Sequence, residues 1–175
     1  MIFSKEDVFN ACEKIAPKYN LDPKLIKALC LQESSRNAAG DFLPDRARLE
    51  QGFYIKYVEP KNNLATTTEV LLSASYGVMQ LMGLSLKELN YFDWWFNKQT
   101  EIVQLFLDDP LSEIATPKAL NWFCENLDVM IDFGCQWFKR KLELAKGDKN
   151  KALDYWNGDL SGKYREEVWA KYNKL

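Results

Sequence analysis

The sequence predicts an all-α fold, and three observations support this class. Apolar residues recur at helical spacing in several segments, and these segments begin at residues that commonly cap helices. No useful stretch alternates apolar with polar residues as a half-buried strand would, and no internal repeat occurs. A chain of 175 residues with 47% apolar content can bury one core, so we expect a single domain over residues 1–175.

Two helices are predicted at the beginning of the chain. Ser4 indicates the start of the first, and Asp22 followed by Pro23 indicates the start of the second, as an N-cap before a proline at the first helical position. Glu33 stands four residues after Leu29, on the apolar stripe of this second helix. Such a carboxylate is either a functional acid or a helix C-terminal residue that is hydrogen-bonded to its neighbours.

The middle of the chain has a weaker pattern. Residues 34–65 hold no lasting helical period and contain repeated glycine, proline and asparagine breakers, so we expect a long loop there. Thr66 indicates the start of the next helix and Ser85 that of a shorter one. The aromatic run at 91–96 favours core or loop packing over a platform for sugars.

Four further helices are predicted in the second half of the chain. Thr116 begins one of them, and Asn126 begins a long helix that Gly147 ends as a C-cap. Asp148 caps the next, and the chain finishes with a helix around residues 164–172. The whole pattern is therefore helical.

The composition narrows the possible chemistry. The chain has no histidine, which excludes a Ser-His or Cys-His nucleophile, a His-ligated zinc site and a histidine base. Proton transfer falls to other side chains, and carboxylate chemistry on sugars suits this inventory. The net charge of −2 is spread without a basic stripe, so we expect no nucleic-acid partner.

The cysteines and the chain start bear on the compartment. Cys12, Cys30, Cys124 and Cys135 form no CxxC pair and lie in apolar helical segments, which favours reduced core thiols over disulfides. The first residues are charged, and no apolar run approaches the roughly eighteen residues of a membrane span. We expect a monomer made in the cytoplasm, without a signal peptide or membrane insertion.

Three segments carry a family resemblance. In order they are ALCLQESSRNAAG, SASYGVMQLMG and ALDYWNGDLSGKY, within residues 28–164. They resemble the three signatures of the soluble lytic transglycosylase family, which are Glu-Ser with a following Asn, Gly-Leu-Met-Gln, and Tyr-Asn-Gly. NLDVMIDFGCQWFKRKL is similar to the helix that precedes the last signature, and RARLEQGFYIKYV is similar to an insertion in transglycosylase-like proteins of phages and prophages.

The resemblance implies a fold and a reaction. The fold would be lysozyme-like, with a long loop insertion after the catalytic helix. The reaction would cleave the β-1,4 bond between N-acetylmuramic acid and N-acetylglucosamine in peptidoglycan strands and leave a 1,6-anhydromuramoyl end. It needs no cofactor and no metal. The protein would act on the cell wall, as a phage virion or lysis protein or from a bacterial secretion machine.

Glu33 is the single catalytic acid and base under this resemblance. It must donate a proton to the leaving oxygen and then accept one from the muramoyl 6-hydroxyl. We expect apolar burial to raise the pKa of Glu33 towards neutrality, with Ile26, Leu29 and Met79 as walls. Ser34 has two possible roles. It positions the acid or the substrate, or it caps the end of the helix.

The second and third motifs supply the candidate substrate-binding residues. In the second, these are Tyr76, Met79 and Gln80. Met79 is either core or groove floor, whereas Gln80, polar in an apolar helical turn, binds an acetamido group or holds the groove backbone.

In the third motif, Tyr155, Trp156 and Asn157 combine a stacking face with an amide, or else form a helix end packed on the core. Trp156 stands where the family usually has tyrosine, so a phenol is missing near the acid unless Tyr155 turns in to replace it.

Two alternatives stay open. A hydrolytic muramidase needs a second carboxylate, about 5–9.5 Å from the acid depending on stereochemistry. Glu50 and Asp45, in the loop after Glu33, are the nearest candidates in sequence. The other alternative is a non-catalytic glycan-binding virion domain that keeps the fold, since a fold does not fix function.

Overall fold

The computed structural model describes residues 2–34, 36–43, 48–49, 66–107 and 109–175. These residues are mostly helical, which confirms the predicted helical class. The α-helices of the described chain are α1 (Lys5–Ile15), α2 (Pro23–Glu33), α3 (Thr66–Leu72), α4 (Gly83–Glu88), α5 (Tyr91–Phe96), α6 (Glu101–Leu107), α7 (Ala115–Glu125), α8 (Leu127–Leu144), α9 (Lys149–Asn157) and α10 (Lys163–Lys174).

The first two helices begin at the caps that the sequence indicates. The Ser4 side chain accepts a hydrogen bond from the backbone N–H of Asp7 at 3.0 Å. Asp22 does the same for Lys24 at 2.9 Å. Each cap satisfies one N–H that the first turn leaves without a helical partner. A 3-10 turn at Ala16–Tyr19 joins the two helices.

The core is built around α2. This helix packs against α1, which precedes it in the chain, and against α10, which lies more than a hundred residues later. Ile26, Ala28, Leu29 and Cys30 have no exposed surface. Burying one such leucine or isoleucine contributes about 1.5–3 kcal/mol, so α2 is held firmly along its length.

A small antiparallel sheet departs from the expected pattern. It orders β1 (Arg48–Leu49), β2 (Ala74–Tyr76) and β3 (Leu81–Met82), with Ser75 opposite Met82. All three residues of β2 are buried, so the strand does not alternate between buried and exposed positions. The expectation of no strands, and of a helical turn around Gln80, is therefore wrong.

The turn between β2 and β3 depends on one glycine. Gly77 has a φ of +76°, a conformation that residues with a Cβ rarely adopt. A Cβ at this position would lie 2.7 Å from the sulfur of Met130 on α8. Gly77 therefore lets the turn both reverse direction and pack directly on the long helix.

Two predicted helix starts are wrong. Ser85 is buried and lies inside α4, whose N-cap is Met82. Thr116 is the second residue of α7, since the helix begins at Ala115, and its side chain is fully buried. The hydroxyl of Ser112 accepts a hydrogen bond from the Ala115 N–H at 3.0 Å and so provides a polar partner at the start of α7.

The aromatic run forms α5 and packs into the core, as expected. Tyr91 is fully buried and its hydroxyl donates to the Ala119 carbonyl at 2.5 Å. Its ring lies edge-on to Phe123 and Phe133, with centroids 5.2 and 5.1 Å away. Such edge-to-face pairs are favourable beyond their buried area. Trp94 is the exception, since it remains 37% exposed.

The C-cap of the long helix lies two residues before the predicted cap, and the next helix begins as predicted. The C-cap of α8 is Ala145, and Gly147, beyond the helix end, donates from its N–H to the Leu142 carbonyl. Asp148 accepts from the N–H groups of Asn150 and Lys151 at the start of α9. No helix in the described part of the chain is both long and apolar enough to cross a membrane.

Cys12, Cys30, Cys124 and Cys135 are not in disulfide bonds, as expected for core thiols. Cys12, Cys30 and Cys135 are buried, and Cys124 is half-buried. The sulfur atoms of Cys12 and Cys30 lie 3.9 Å apart between α1 and α2. Burial raises the pKa of Cys30 and that of Cys135, so these thiols stay protonated and behave as small apolar side chains.

Candidate active site

Glu33, the last residue of α2, receives two hydrogen bonds on one oxygen. The indole N–H of Trp156 donates to its Oε1 at 2.8 Å, and the hydroxyl of Tyr164 donates to the same atom. Trp156 lies on α9 and Tyr164 on α10, so three helices meet at this carboxylate. Glu33 itself is half-buried. The predicted acid therefore lies at a helix junction, where the surface and the core meet.

A tight turn between α9 and α10 brings the two donors together. Gly158, with a φ of +79°, ends α9, and Gly162, with a φ of +90°, precedes α10. Between them the Asp159 carboxylate accepts from the N–H of Ser161 at 2.9 Å and from that of Tyr164 at 3.4 Å. These bonds order the turn so that α10 runs back towards α2.

An ion pair links the same two helices. Arg165 Nη1 lies 2.6 Å from Asp154 Oδ2, with the Asp154 side chain 9% exposed and that of Arg165 36% exposed. Asp154 is two residues before Trp156, and Arg165 directly follows Tyr164. The ion pair therefore fixes the spacing between the helices that carry the two donors to Glu33.

The electrostatics keep Tyr164 in its donor form. Burial raises the pKa of Tyr164 far above its ordinary value, and the negative charge of Glu33 and the hydrogen bond to it raise the pKa further. The phenol therefore keeps its proton at any physiological pH. Trp156 can only donate from its indole nitrogen. A hydrogen bond to a charged group contributes about 1.5–3 kcal/mol, so both donors stabilise the Glu33 carboxylate and fix its orientation.

Ser34 connects Glu33 to the β2–β3 turn. Its hydroxyl donates to the Val78 carbonyl at 2.5 Å, and its backbone N–H donates to the Cys30 carbonyl at the end of α2. The residue thus caps the helix through its backbone and positions the second motif through its side chain. The sequence left open whether Ser34 positions the acid or the substrate, or caps the helix. The structure contains the capping contact, and the hydroxyl is engaged by the Val78 carbonyl.

The second motif is largely buried rather than exposed in an open groove. Tyr76 is 5% exposed and its hydroxyl donates to the Leu71 carbonyl at 2.8 Å. Met79 is 1% exposed, which places it in the core and excludes the groove-floor role in this structure. Gln80 donates to the Gly77 carbonyl at 2.9 Å and accepts from the Ser75 hydroxyl at 3.1 Å, so it holds the turn backbone.

Tyr155 does not supply the phenol near the acid. It is 43% exposed, whereas the adjacent Trp156 turns towards Glu33 and also packs edge-on against Phe138 at 5.9 Å. Successive helical residues point about 100° apart, so the two neighbours cannot both face Glu33. Asn157, the last residue of α9, is exposed.

The sequence interpretation missed Tyr164, Asp154 and Arg165. Tyr164 is the last residue of the third quoted segment, so position within the motif was the available signal. The expected apolar walls, Ile26 and Leu29, are fully buried. The candidate second carboxylates, Glu50 and Asp45, lie outside the described residues.

The described residues contain no group of three or more His, Cys, Asp or Glu side chains that could hold a metal ion. Comparisons with models of protein families, with curated proteins and with solved structures found no match for this chain. The features that bear on function are therefore the three motifs and a half-buried glutamate on which two hydrogen-bond donors converge.

Proposed function

We propose that this chain is a peptidoglycan lytic transglycosylase with a lysozyme-like fold, and that Glu33 is its only general acid and base. The observation that carries the proposal is the convergence of Trp156 and Tyr164 on Oε1 of Glu33. Catalytic carboxyl groups need a fixed geometry and a controlled charge, and the half-buried Trp156 and the buried Tyr164 supply both. The order of the three motifs along the chain supports the same assignment.

The two donors hold the carboxyl group of Glu33 in one orientation. Its Oε1 accepts from Trp156 and Tyr164 whether the carboxyl group is charged or neutral, because the carbonyl oxygen of a neutral acid still accepts. The group can therefore keep the same orientation while it gives up its proton and regains it.

The reaction proceeds in two proton transfers. Glu33 gives its proton to the glycosidic oxygen as the bond from that oxygen to the anomeric carbon of N-acetylmuramic acid breaks. The muramoyl 6-hydroxyl oxygen then bonds to the same anomeric carbon, and its proton returns to the Glu33 carboxylate. No water enters, the enzyme ends in its starting state, and the new chain end is a 1,6-anhydro sugar.

The substrate and setting follow from this proposal. The partner is the glycan strand of peptidoglycan, which Tyr155, Trp156 and Asn157 would contact at the end of α9. The protein would act on the cell wall as a monomer, from a phage virion, as a lysis protein or within a bacterial secretion machine.

The test is the mass of the fragments released from purified sacculi. A transglycosylase leaves anhydro ends, whereas a muramidase leaves reducing ends that are heavier by one water. We expect anhydro ends from the wild-type protein and the same ends, formed somewhat more slowly, from Glu50→Gln. Reducing ends together with complete loss of activity in Glu50→Gln would replace the proposal with a two-carboxylate muramidase. Sacculus binding without any fragments would indicate a non-catalytic glycan-binding domain.

A further inference from the structure

A cavity of about 440 Å³ lies apart from Glu33 and its donors. Its lining residues come from the end of α1, the 3-10 turn, the start of α5 with the residues before it, and the first half of α8. Glu33, Trp156 and Tyr164 come from α2, α9 and α10, and none of them lines the cavity. The volume falls within the roughly 300–1,000 Å³ that is usual for small-molecule sites.

One wall of the cavity is aromatic. Trp94 is the large aromatic residue that α5 leaves exposed, at 37%, and Phe133 braces it edge-on at 5.6 Å. Lys98 lies over the Trp94 ring, 4.6 Å from its centroid. The face of an indole ring carries partial negative charge, so it attracts the slightly positive C–H groups on the flat side of a pyranose. An exposed, braced tryptophan therefore suits a sugar ring.

The rim of the cavity is polar and carries charges of both signs. Asp128 pairs with Lys14, and Asp132 accepts from Tyr19 and from Gln136, each at 2.9 Å. Lys18 also lines the cavity and Lys98 lies over the Trp94 ring, so three lysines and two aspartates surround the site. Such a mixture of charges forms neither a strongly basic nor a strongly acidic surface for a phosphate or a polycation. The favoured ligand is consequently a neutral molecule with many hydrogen-bonding groups.

Two side-chain amides add a specific pattern. Asn90 and Gln136 both line the cavity, and Asn90 has no side-chain hydrogen bond within the described part of the chain. A primary amide offers a donor and an acceptor together, which matches the C=O and N–H of an acetamido group. We propose that this cavity binds a neutral N-acetylated saccharide, as a second glycan site that is independent of catalysis at Glu33.

The test is an NMR titration of the Glu33→Gln variant, which prevents turnover, with a β-1,4-linked N-acetylglucosamine tetramer. We expect the indole N–H signal of Trp94 and the side-chain amide signals of Asn90 and Gln136 to move and saturate. Trp94→Ala should weaken this binding at least about tenfold. Asn90→Gly should weaken it too, and it suits the left-handed backbone of that residue, whose φ is 57°.

Matched controls separate the possible outcomes. Trp137→Ala removes a tryptophan that lies on α8 outside the cavity lining, so binding should be unchanged. A glucose tetramer without acetamido groups should bind much more weakly, and equal binding would overturn the acetamido assignment. Signals that move only at Trp156 and Tyr164 would refute the second site and leave the proposed function intact. Saturation at Trp94 with no cleavage of sacculi by the wild-type protein would support the second site and refute the proposed function.

Discussion

Glu33 is the residue on which the proposed chemistry depends. Glu33→Gln keeps an oxygen that can accept from Trp156 and Tyr164, but its amide has no acidic proton that it could transfer to the leaving oxygen. We expect sacculus cleavage to fall below about 1% of the wild-type rate while circular dichroism and the unfolding midpoint change little. Residual activity well above that level would remove Glu33 from the role of acid.

Tyr164→Phe deletes one donor to Glu33 and leaves the ring in place. We expect a loss of activity of about 10- to 100-fold, which corresponds to about 1.5–3 kcal/mol for a hydrogen bond to a charged group. The lost donor disfavours the carboxylate, so the protonated acid persists to higher pH and the alkaline limb of the rate profile moves upwards. Initial rates on sacculi across the pH range would measure both effects.

Tyr172→Phe is the matched control for this variant. Tyr172 also lies on α10 and its hydroxyl also donates to a carboxylate, that of Asp22 at 2.9 Å, but it does not contact Glu33. The pH–rate profile of Tyr172→Phe should therefore match that of the wild-type protein. An equal shift in both variants would mean that Tyr164 acts through the stability of α10 rather than through Glu33.

The sequence could identify Glu33 but not its partners. A carboxylate on an apolar helical stripe is visible from local spacing, because α2 repeats every 3.6 residues. Tyr164 approaches it only after α9 ends and the chain turns through Gly158 and Gly162. The direction of that turn depends on tertiary packing, which local spacing does not encode. Tyr155, adjacent to the motif tryptophan, was therefore the wrong candidate for the phenol.

At the scale of helices, the pair between Asp154 and Arg165 sets the position of both donors. Arg165→Ala would leave a buried aspartate without its cation, and Asp154 Oδ1 already has no hydrogen-bond partner in the described structure. We expect the free energy of unfolding to fall by about 1–3 kcal/mol. This loss is smaller than for a fully buried ion pair, because Arg165 is partly exposed and water screens its charge. Urea unfolding would measure this loss.

The same variant should also impair catalysis. A displacement of α10 relative to α9 would misplace Trp156 and Tyr164 at Glu33, so kcat should fall more than tenfold under conditions where the variant is folded. Arg140→Ala is the control, since it removes the exposed pair with Glu88, at 3.5 Å, which should contribute little. Wild-type kcat in Arg165→Ala would confine the ion pair to a role in stability.

The β2–β3 turn provides a second test at this scale. In Gly77→Ala the new Cβ would both strain a positive φ and crowd the sulfur of Met130. We expect a loss of about 2–4 kcal/mol in the free energy of unfolding. Gly147 has a similar φ of +85°, but a Cβ there would have no atom within 4 Å. Gly147→Ala should therefore lower the free energy of unfolding less, through backbone strain alone. Equal losses in the two variants would show that the turn is not packed tightly on α8.

For the whole molecule, the sequence predicts elements best where a local cap defines them. Ser4, Asp22 and Asp148 each accept backbone N–H groups at the helix starts where their patterns placed them. The small sheet was missed because its strands have two or three residues each, too few to show a period of two. Its formation depends on pairing between distant segments and on burial against α8, which are properties of the folded chain.

The buried tyrosines and thiols make the folded protein less stable at alkaline pH. Burial raises the pKa of Tyr76, Tyr91 and Tyr164 above their ordinary values, and it raises the pKa of Cys30 and Cys135 as well. In the unfolded chain these groups ionise at about pH 8.5 for cysteine and about pH 10 for tyrosine. The folded state binds their protons more tightly, so it gains stability that is complete below those pH values and is lost as the pH rises beyond them.

We therefore expect the free energy of unfolding to be nearly constant from about pH 6 to about pH 8 and to fall steeply above about pH 10. Urea unfolding at a series of pH values would give this curve, and near-ultraviolet absorbance would report tyrosinate formation in the same samples. The buried tyrosines Tyr76, Tyr91 and Tyr164 should ionise only as the chain unfolds. Ionisation of all tyrosines in one step near pH 10, with no loss of stability, would contradict the burial that places Tyr164 against Glu33.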